Sequence, residues 1–218
     1  MTKVLIIRHG QANTGAKDHE SYDNLSPLGY QQAQWLGEYF QLGGTTFDRI
    51  YSGNLRRQID TATSINLDRS EHVIDERLNE FDYFGLAQNL KECFGIPHPV
   101  TQDDFKIQIR TLMLYWKENK ISSSVETFED FLQRIFDIVT EIIERKEKSL
   151  LVSSTGVIAS LIANILKVPI EEQPKLLLSI SHTSLNRFEQ MCGDLIPTMF
   201  CATPHLDRSD RAHAHTFI

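Results

Sequence analysis

Only three cysteines occur in these 218 residues, Cys93, Cys192 and Cys201, and no two form a Cys-x-x-Cys pair. That leaves no disulfide framework to read, and the three are expected to be reduced, buried, small hydrophobes in a cytoplasmic protein. Basic charge is also scarce. Lys and Arg total 22 against 29 Asp and Glu, a formal net charge of -7, and the cations are scattered. A nucleic-acid or membrane-surface partner would need basic patches, so both are excluded as expectations. Long apolar runs are missing too. The first, Val4 to Ile7, is too short for a signal-peptide core, and no run approaches a membrane span. There is no internal repeat and no low-complexity linker. What remains is 41% hydrophobic and 23% charged. This suffices for one α/β domain with a proper core and is short for two.

The order of elements points to a mainly parallel sheet. Val4 to Ile7 reads as a buried strand. Ser26 is a natural N-cap and Pro27 a natural first helical residue for a helix ending at Gly43-Gly44. A strand near Phe47 to Ser52 leads into a helix starting near Asn54. Glu126 to Lys148 is the clearest helix, with Phe128, Phe131, Leu132, Ile135, Val139, Ile142 and Ile143 on one stripe. Ser149 to Ser154 reads as a strand and Gly156 to Val168 as an apolar helix. Late strands are expected at Leu176 to Ser181, Leu185 to Gln190 and Ile196 to Ala202. Residues 84–124 mix aromatic and polar residues and read as an inserted helical flap. Strands and helices alternating at this spacing imply crossovers and a parallel sheet.

Chemistry collects at the ends of the expected strands. Arg8-His9-Gly10 closes the first strand, where a charged pair is expensive to bury without a purpose. Ligands of open parallel sheets bind beyond the carboxyl ends of the strands. Arg8 offers a planar fork of donors, and His9 a nucleophilic ring nitrogen. Tyr51 to Arg57 leaves the second strand and puts arginines at a helix start, where free amides already favour an anion. Leu78-Asn79-Glu80 supplies a carboxyl group, and Val152 to Gly156 ends another strand at another helix start. Arginines, one histidine and one carboxyl group suit phosphoryl transfer: the cations hold the dianion, histidine attacks phosphorus, and the acid protonates the departing oxygen.

This set resembles the histidine phosphatase superfamily, also called phosphoglycerate mutase-like. The Arg8-His9-Gly10 triplet, Leu25-Ser26 through Gln32-Ala33, Ser52 to Arg57 with Thr61-Ala62, and Leu78-Asn79-Glu80 all match the family's motifs in order. The resemblance implies a single domain over 1–218, folded as a three-layer α/β/α sandwich with one antiparallel late strand. It implies that His9 becomes a phosphohistidine, that Arg8 and Arg57 clamp the phosphate, and that Glu80 is the general acid. Gln11 would lie near the phosphate. His205 matches a motif near the end of the chain and reads as structural, while His213 and His215 read as a tail. No metal and no cofactor are implied. The departure is Ser154, where the family usually has a second histidine. Serine donates a neutral hydrogen bond instead of a charge-assisted one of roughly twice the strength. Together with Gln11 and Asn79-Glu80-Phe81-Asp82, it resembles a branch that carries serine at this position. His182, where the family often has Asn, is a candidate to supply part of the missing imidazole.

The expected function is hydrolysis of a phosphomonoester, either a small metabolite or a phosphoprotein. Two alternatives stand beside it. One is a mutase, which needs further basic groups around the pocket; Lys17 and His19 face Asp18, Glu20 and Asp23 in the sequence and serve it poorly. The other is a phosphate-ligand binding protein weakened at Ser154.

Overall fold

The computed structural model describes residues 3–13 and 22–217, so Lys17, Asp18, His19 and Glu20 lie outside the described residues. Among the described residues six strands form one sheet: β1 (Lys3–Arg8), β2 (Arg49–Ser52), β3 (Glu71–Ile74), β4 (Ser149–Ser153), β5 (Leu185–Met191) and β6 (Asp194–Ala202). Their order is β3-β2-β4-β1-β5-β6. Neighbours from β3 to β1 are parallel, and β5 runs against both β1 and β6. One strand therefore opposes the other five, as expected.

Seven helices flank the sheet among the described residues: α1 (Pro27–Leu42), α2 (Arg56–Ile65), α3 (Tyr83–Phe94), α4 (Gln102–Lys117), α5 (Phe128–Arg145), α6 (Thr155–Ile165) and α7 (Gln173–Ser179). The pleat of β1 explains the layering. Val4 and Ile6 point into a large core with α3 to α6, while Leu5 and Ile7 point into a smaller one with α1 and α2. Successive strand residues face opposite sides, so a strand buried on both faces must be apolar throughout. The result is a three-layer α/β/α arrangement.

Local signals set most boundaries. Ser26 Oγ accepts from Gly29 N at 3.0 Å, and Pro27 opens α1. Thr127 and Asp130 form a capping box that starts α5, two residues later than Glu126. Within residues 84–124, α3 and α4 bury Leu86, Leu90, Ile109, Leu112 and Trp116 in the larger core.

Two expectations are corrected. Leu176 to Ser181 is not a strand; Gln173–Ser179 is α7, with Pro174 in its first turn. A short run such as Leu176-Leu177-Leu178 has no period that separates strand from helix. The three cysteines are free, but Cys93 and Cys192 are exposed. Cys93 lies in the last turn of α3, and Cys192 sits between β5 and β6 at φ 53°.

Candidate active site

The parallel register brings three strand ends to one level. Arg8 pairs with Ser153, and Ser52 with Val152. Beyond that edge the chain turns sharply. His9 N donates to Ser153 O at 2.9 Å, and Gly10 N donates to Thr61 Oγ1 at 2.9 Å. Thr61 in turn donates to Arg57 O, so the Thr61-Ala62 motif ties α2 to the turn after β1. A Cβ on Gly10 would lie 2.4 Å from Gly29 O, and one on Gly29 would lie 2.1 Å from Gln11 O. Both glycines allow α1 to press backbone against backbone onto this turn.

His9 is buried, and its Nδ1–H donates to Gly10 O at 2.7 Å. That bond fixes the tautomer and leaves Nε2 with its lone pair. Arg57 Nε points at this nitrogen from 3.3 Å. Burial, then Arg57 and Arg8, push the His9 pKa well below its ordinary value. The ring is held neutral, the form in which nitrogen is a nucleophile.

The two arginines are held from behind. Arg8 Nη1 donates to Ile180 O at 2.6 Å and to Phe217 O. Among the described residues its Nε is buried without a hydrogen-bond partner. Arg57 is gripped by Asp23, with Nη1 to Oδ1 at 2.8 Å. The Asp23 carboxylate also accepts from the backbone of Arg56 and Arg57, at the N-terminal end of α2.

Glu80 follows a 3-10 turn, Glu76–Leu78. Gly156 N donates to its Oε2 at 2.9 Å, and Phe81 N to its Oε1 at 3.1 Å. Burial raises the Glu80 pKa; the two amides, Arg57 and Arg8 only partly oppose it. A raised pKa suits a proton donor. Arg134 braces the same loop. It donates to Arg77 O at 2.7 Å and Asn79 O at 2.9 Å while paired with Glu126 at 2.7 Å.

Arg8, His9, Arg57 and Glu80 line one cavity of about 690 Å³. The other three expected site residues are placed around it differently. Ser154 is fully buried and does not face the cavity; its Oγ accepts from Gln58 Nε2 at 2.8 Å. Gln58 also donates to Leu78 O at 3.1 Å, so the pair steadies the Glu80 loop. Gln11 uses its side-chain oxygen to accept from Ser26 Oγ at 2.8 Å. His182 is buried with its ring centroid 5.8 Å from that of His9, and its Nδ1 bonds to Thr216 Oγ1 at 2.9 Å. His205 bonds to Thr183 Oγ1 at 2.8 Å, and Thr183 N donates to Arg8 O at 3.1 Å. Among the described residues, no cluster of three His, Cys, Asp or Glu side chains could hold a metal ion.

Sequence reasoning missed Asp23, Gln58, Arg134 and the end of the chain. The expected tail packs against the site: Gln32 Nε2 donates to Ala214 O and Thr216 Oγ1, and Phe217 reaches Arg8. These contacts join residues more than a hundred positions apart, and no local pattern marks them. Gln58 alone had a signal, as an amide beside the arginines of a helix start.

Two outcomes follow from these environments. First, Ser154→His must place a ring where Gln58 already fills the space. Overpacking of this kind costs about 1–3 kcal/mol. Denaturant unfolding is expected to show that loss, with no gain in phosphate ester turnover. Faster turnover at unchanged stability would contradict the geometry. Second, His9 and His182 are held neutral chiefly by burial, and burial brings the His205 pKa down to about 3. In the unfolded chain each takes up a proton near pH 6.5, so the unfolded state binds more protons below that pH. Stability then falls as pH drops from about 6.5, by up to about 4 kcal/mol per pH unit for three groups, less the opposing uptake by Glu80. Denaturant midpoints across pH 5 to pH 7, on the order of those limits, check the sign.

The fold and site define an α/β protein with an anion pocket at the carboxyl edge of its sheet, built around a neutral histidine and two arginines. Residues 4–194 match the histidine phosphatase superfamily (branch 1), and the chain belongs to that family. It is 26% identical over 184 residues to the serine/threonine-protein phosphatase Pgam5, mitochondrial, of Drosophila grimshawi, across 84% of this chain and 56% of that protein. It is 33% identical over 99 residues to the 2,3-bisphosphoglycerate-dependent phosphoglycerate mutase of Methylorubrum populi, across 40% of this chain and 45% of that one. The chain thus spans about half the length of these curated relatives. A phosphoserine phosphatase from Entamoeba histolytica, solved with 3-phosphoglyceric acid, shares the fold. Its TM-score is 0.66 at 21% identity, over 94% of this chain and 100% of that one.

Proposed function

We propose that this chain is a phosphomonoesterase that works through a phosphohistidine on His9 without a metal. The observation that carries this is the His9 ring itself. Its Nδ1–H is committed to Gly10 O, and its unprotonated Nε2 accepts from Arg57 Nε at 3.3 Å on the lining of the cavity.

Arg8 and Arg57 hold the phosphoryl oxygens and take up charge that builds there in the transition state. His9 Nε2 attacks phosphorus while the bond to the ester oxygen breaks. Glu80 gives its proton to that oxygen, and the alcohol leaves. The Glu80 carboxylate then takes a proton from water, whose oxygen attacks the phosphohistidine. Inorganic phosphate departs, and His9 and Glu80 return to their starting forms. The arginine fork and the acid supply the charge neutralisation and leaving-group protonation that a metal provides elsewhere.

The remaining site residues act through these four. Ser154 and Gln58 set the Leu78 carbonyl and with it the acid loop. Gln11 fixes the turn after His9 to the cap of α1. His182 anchors Thr216, and so the segment that holds Arg8. Three cysteines with no disulfide among them support a cytoplasmic setting.

The test is release of inorganic phosphate from 4-nitrophenyl phosphate and a panel of alkyl phosphates, with a metal chelator present. Turnover that persists in chelator supports the proposal. No release from any ester overturns it.

A further inference from the structure

The cavity is larger than a phosphate needs. At about 690 Å³ it falls in the range of sites that enclose a drug-sized molecule. Arg8, His9, Arg57 and Glu80 make up a small part of its lining. The lining also carries Tyr83, Phe84, Phe105, Val125 and Leu177, and Phe217, whose carbonyl holds Arg8. The rings pack edge to face, with Tyr83 at 5.4 Å from both Phe84 and Phe105 between centroids. Such a wall favours an apolar face over a polar one.

Charge in the rest of the lining is already matched. Arg77 and Arg134 face the cavity, but Arg77 is paired with Asp75 at 2.6 Å and Glu141 at 2.8 Å, and Arg134 with Glu126 at 2.7 Å. Glu76 and Asp82 add two more carboxylates to the lining. Among the described residues, no lining cation beyond Arg8 is free of a carboxylate. A second acidic group on the substrate would be stripped of water beside excess negative charge.

We infer that the alcohol part of the ester is a bulky apolar group, the size of an aromatic ring or larger, with no carboxylate or second phosphate. This rests on the phosphatase reading and names the substrate class for the same site.

Binding of phosphonates, which carry no cleavable ester, tests it by calorimetry on the full chain. The probes are naphthalen-1-ylmethylphosphonate, 3-phosphonopropionate and methylphosphonate. The naphthyl compound is expected to bind at least about tenfold more tightly than methylphosphonate, the equivalent of burying part of one ring. 3-Phosphonopropionate is expected to bind no more tightly than methylphosphonate. Phe105→Ala, and separately Phe217→Ala at the half-exposed end of the chain, should each shrink the naphthyl advantage several-fold. Equal binding of all three probes, tighter binding of the carboxylated one, no detectable binding of the naphthyl compound, or an advantage untouched by both substitutions would overturn the inference. These readouts need no turnover. Failure here is therefore distinct from failure of the phosphatase reading, which shows as no phosphate released from any ester.

Discussion

His9→Ala is expected to lower kcat by about 10⁴–10⁶, the scale seen when a nucleophile is removed from a working set of groups. The loss should fall on kcat and spare binding. Arg8 is held by two backbone carbonyls and Arg57 by Asp23, so neither depends on the imidazole for its place. Inorganic phosphate should therefore bind the variant within about tenfold of the parent. The contrast matters because a site that only binds phosphate would show little change in either quantity. A steady-state comparison together with phosphate titration checks both halves. Equal kcat in the variant and the parent would remove His9 from the chemistry.

The second large effect concerns Glu80, and its size depends on the leaving group. Glu80→Gln keeps the shape but removes the proton, and its single amide oxygen accepts only one of the two bonds from Gly156 and Phe81. For an alkyl phosphate the departing alkoxide needs that proton, and the loss should be about 10²–10⁴ in kcat. For 4-nitrophenyl phosphate the departing phenolate is stable without it, so the first step should lose far less. The pH profile carries the same signature. The first step needs His9 neutral and Glu80 protonated. Because the His9 pKa is pushed down and the Glu80 pKa up, the acid limb lies well below the ordinary histidine range and the alkaline limb above the ordinary carboxylate range. Alkyl ester hydrolysis should fall as pH rises through the Glu80 limb, and Glu80→Gln should flatten that limb. Equal losses on alkyl and aryl esters, with the limb unchanged, would assign the proton to another group.

The mainly parallel sheet and the four residues on the cavity wall could be read from the chain alone. Their signals are local: a buried apolar run ending in Arg8-His9, a cap at Ser26-Pro27, arginines at the start of α2. Parallel register then forces the ends of β1, β2 and β4 to one level, so locally read residues meet in space. What stayed hidden depends on distant contacts. Ser154 looks like a phosphate donor in the sequence, yet it is buried outside the cavity lining, where Gln58, about a hundred residues earlier, donates to its oxygen. Asp23 and Phe217 hold the two arginines from opposite ends of the chain. The run at Leu176 was misread because three leucines have no period, and the turn residue before them, Pro174, begins a helix.

The central claim is that phosphate passes through His9 Nε2. Its most direct test is to mix enzyme with a phosphate-labelled ester, quench in denaturing base within one turnover, and locate the label by peptide mapping. Label on His9, stable in base and lost in acid, formed no more slowly than turnover and absent from His9→Ala, is the predicted result. Turnover with no label on His9, or with label on another residue, would contradict the account.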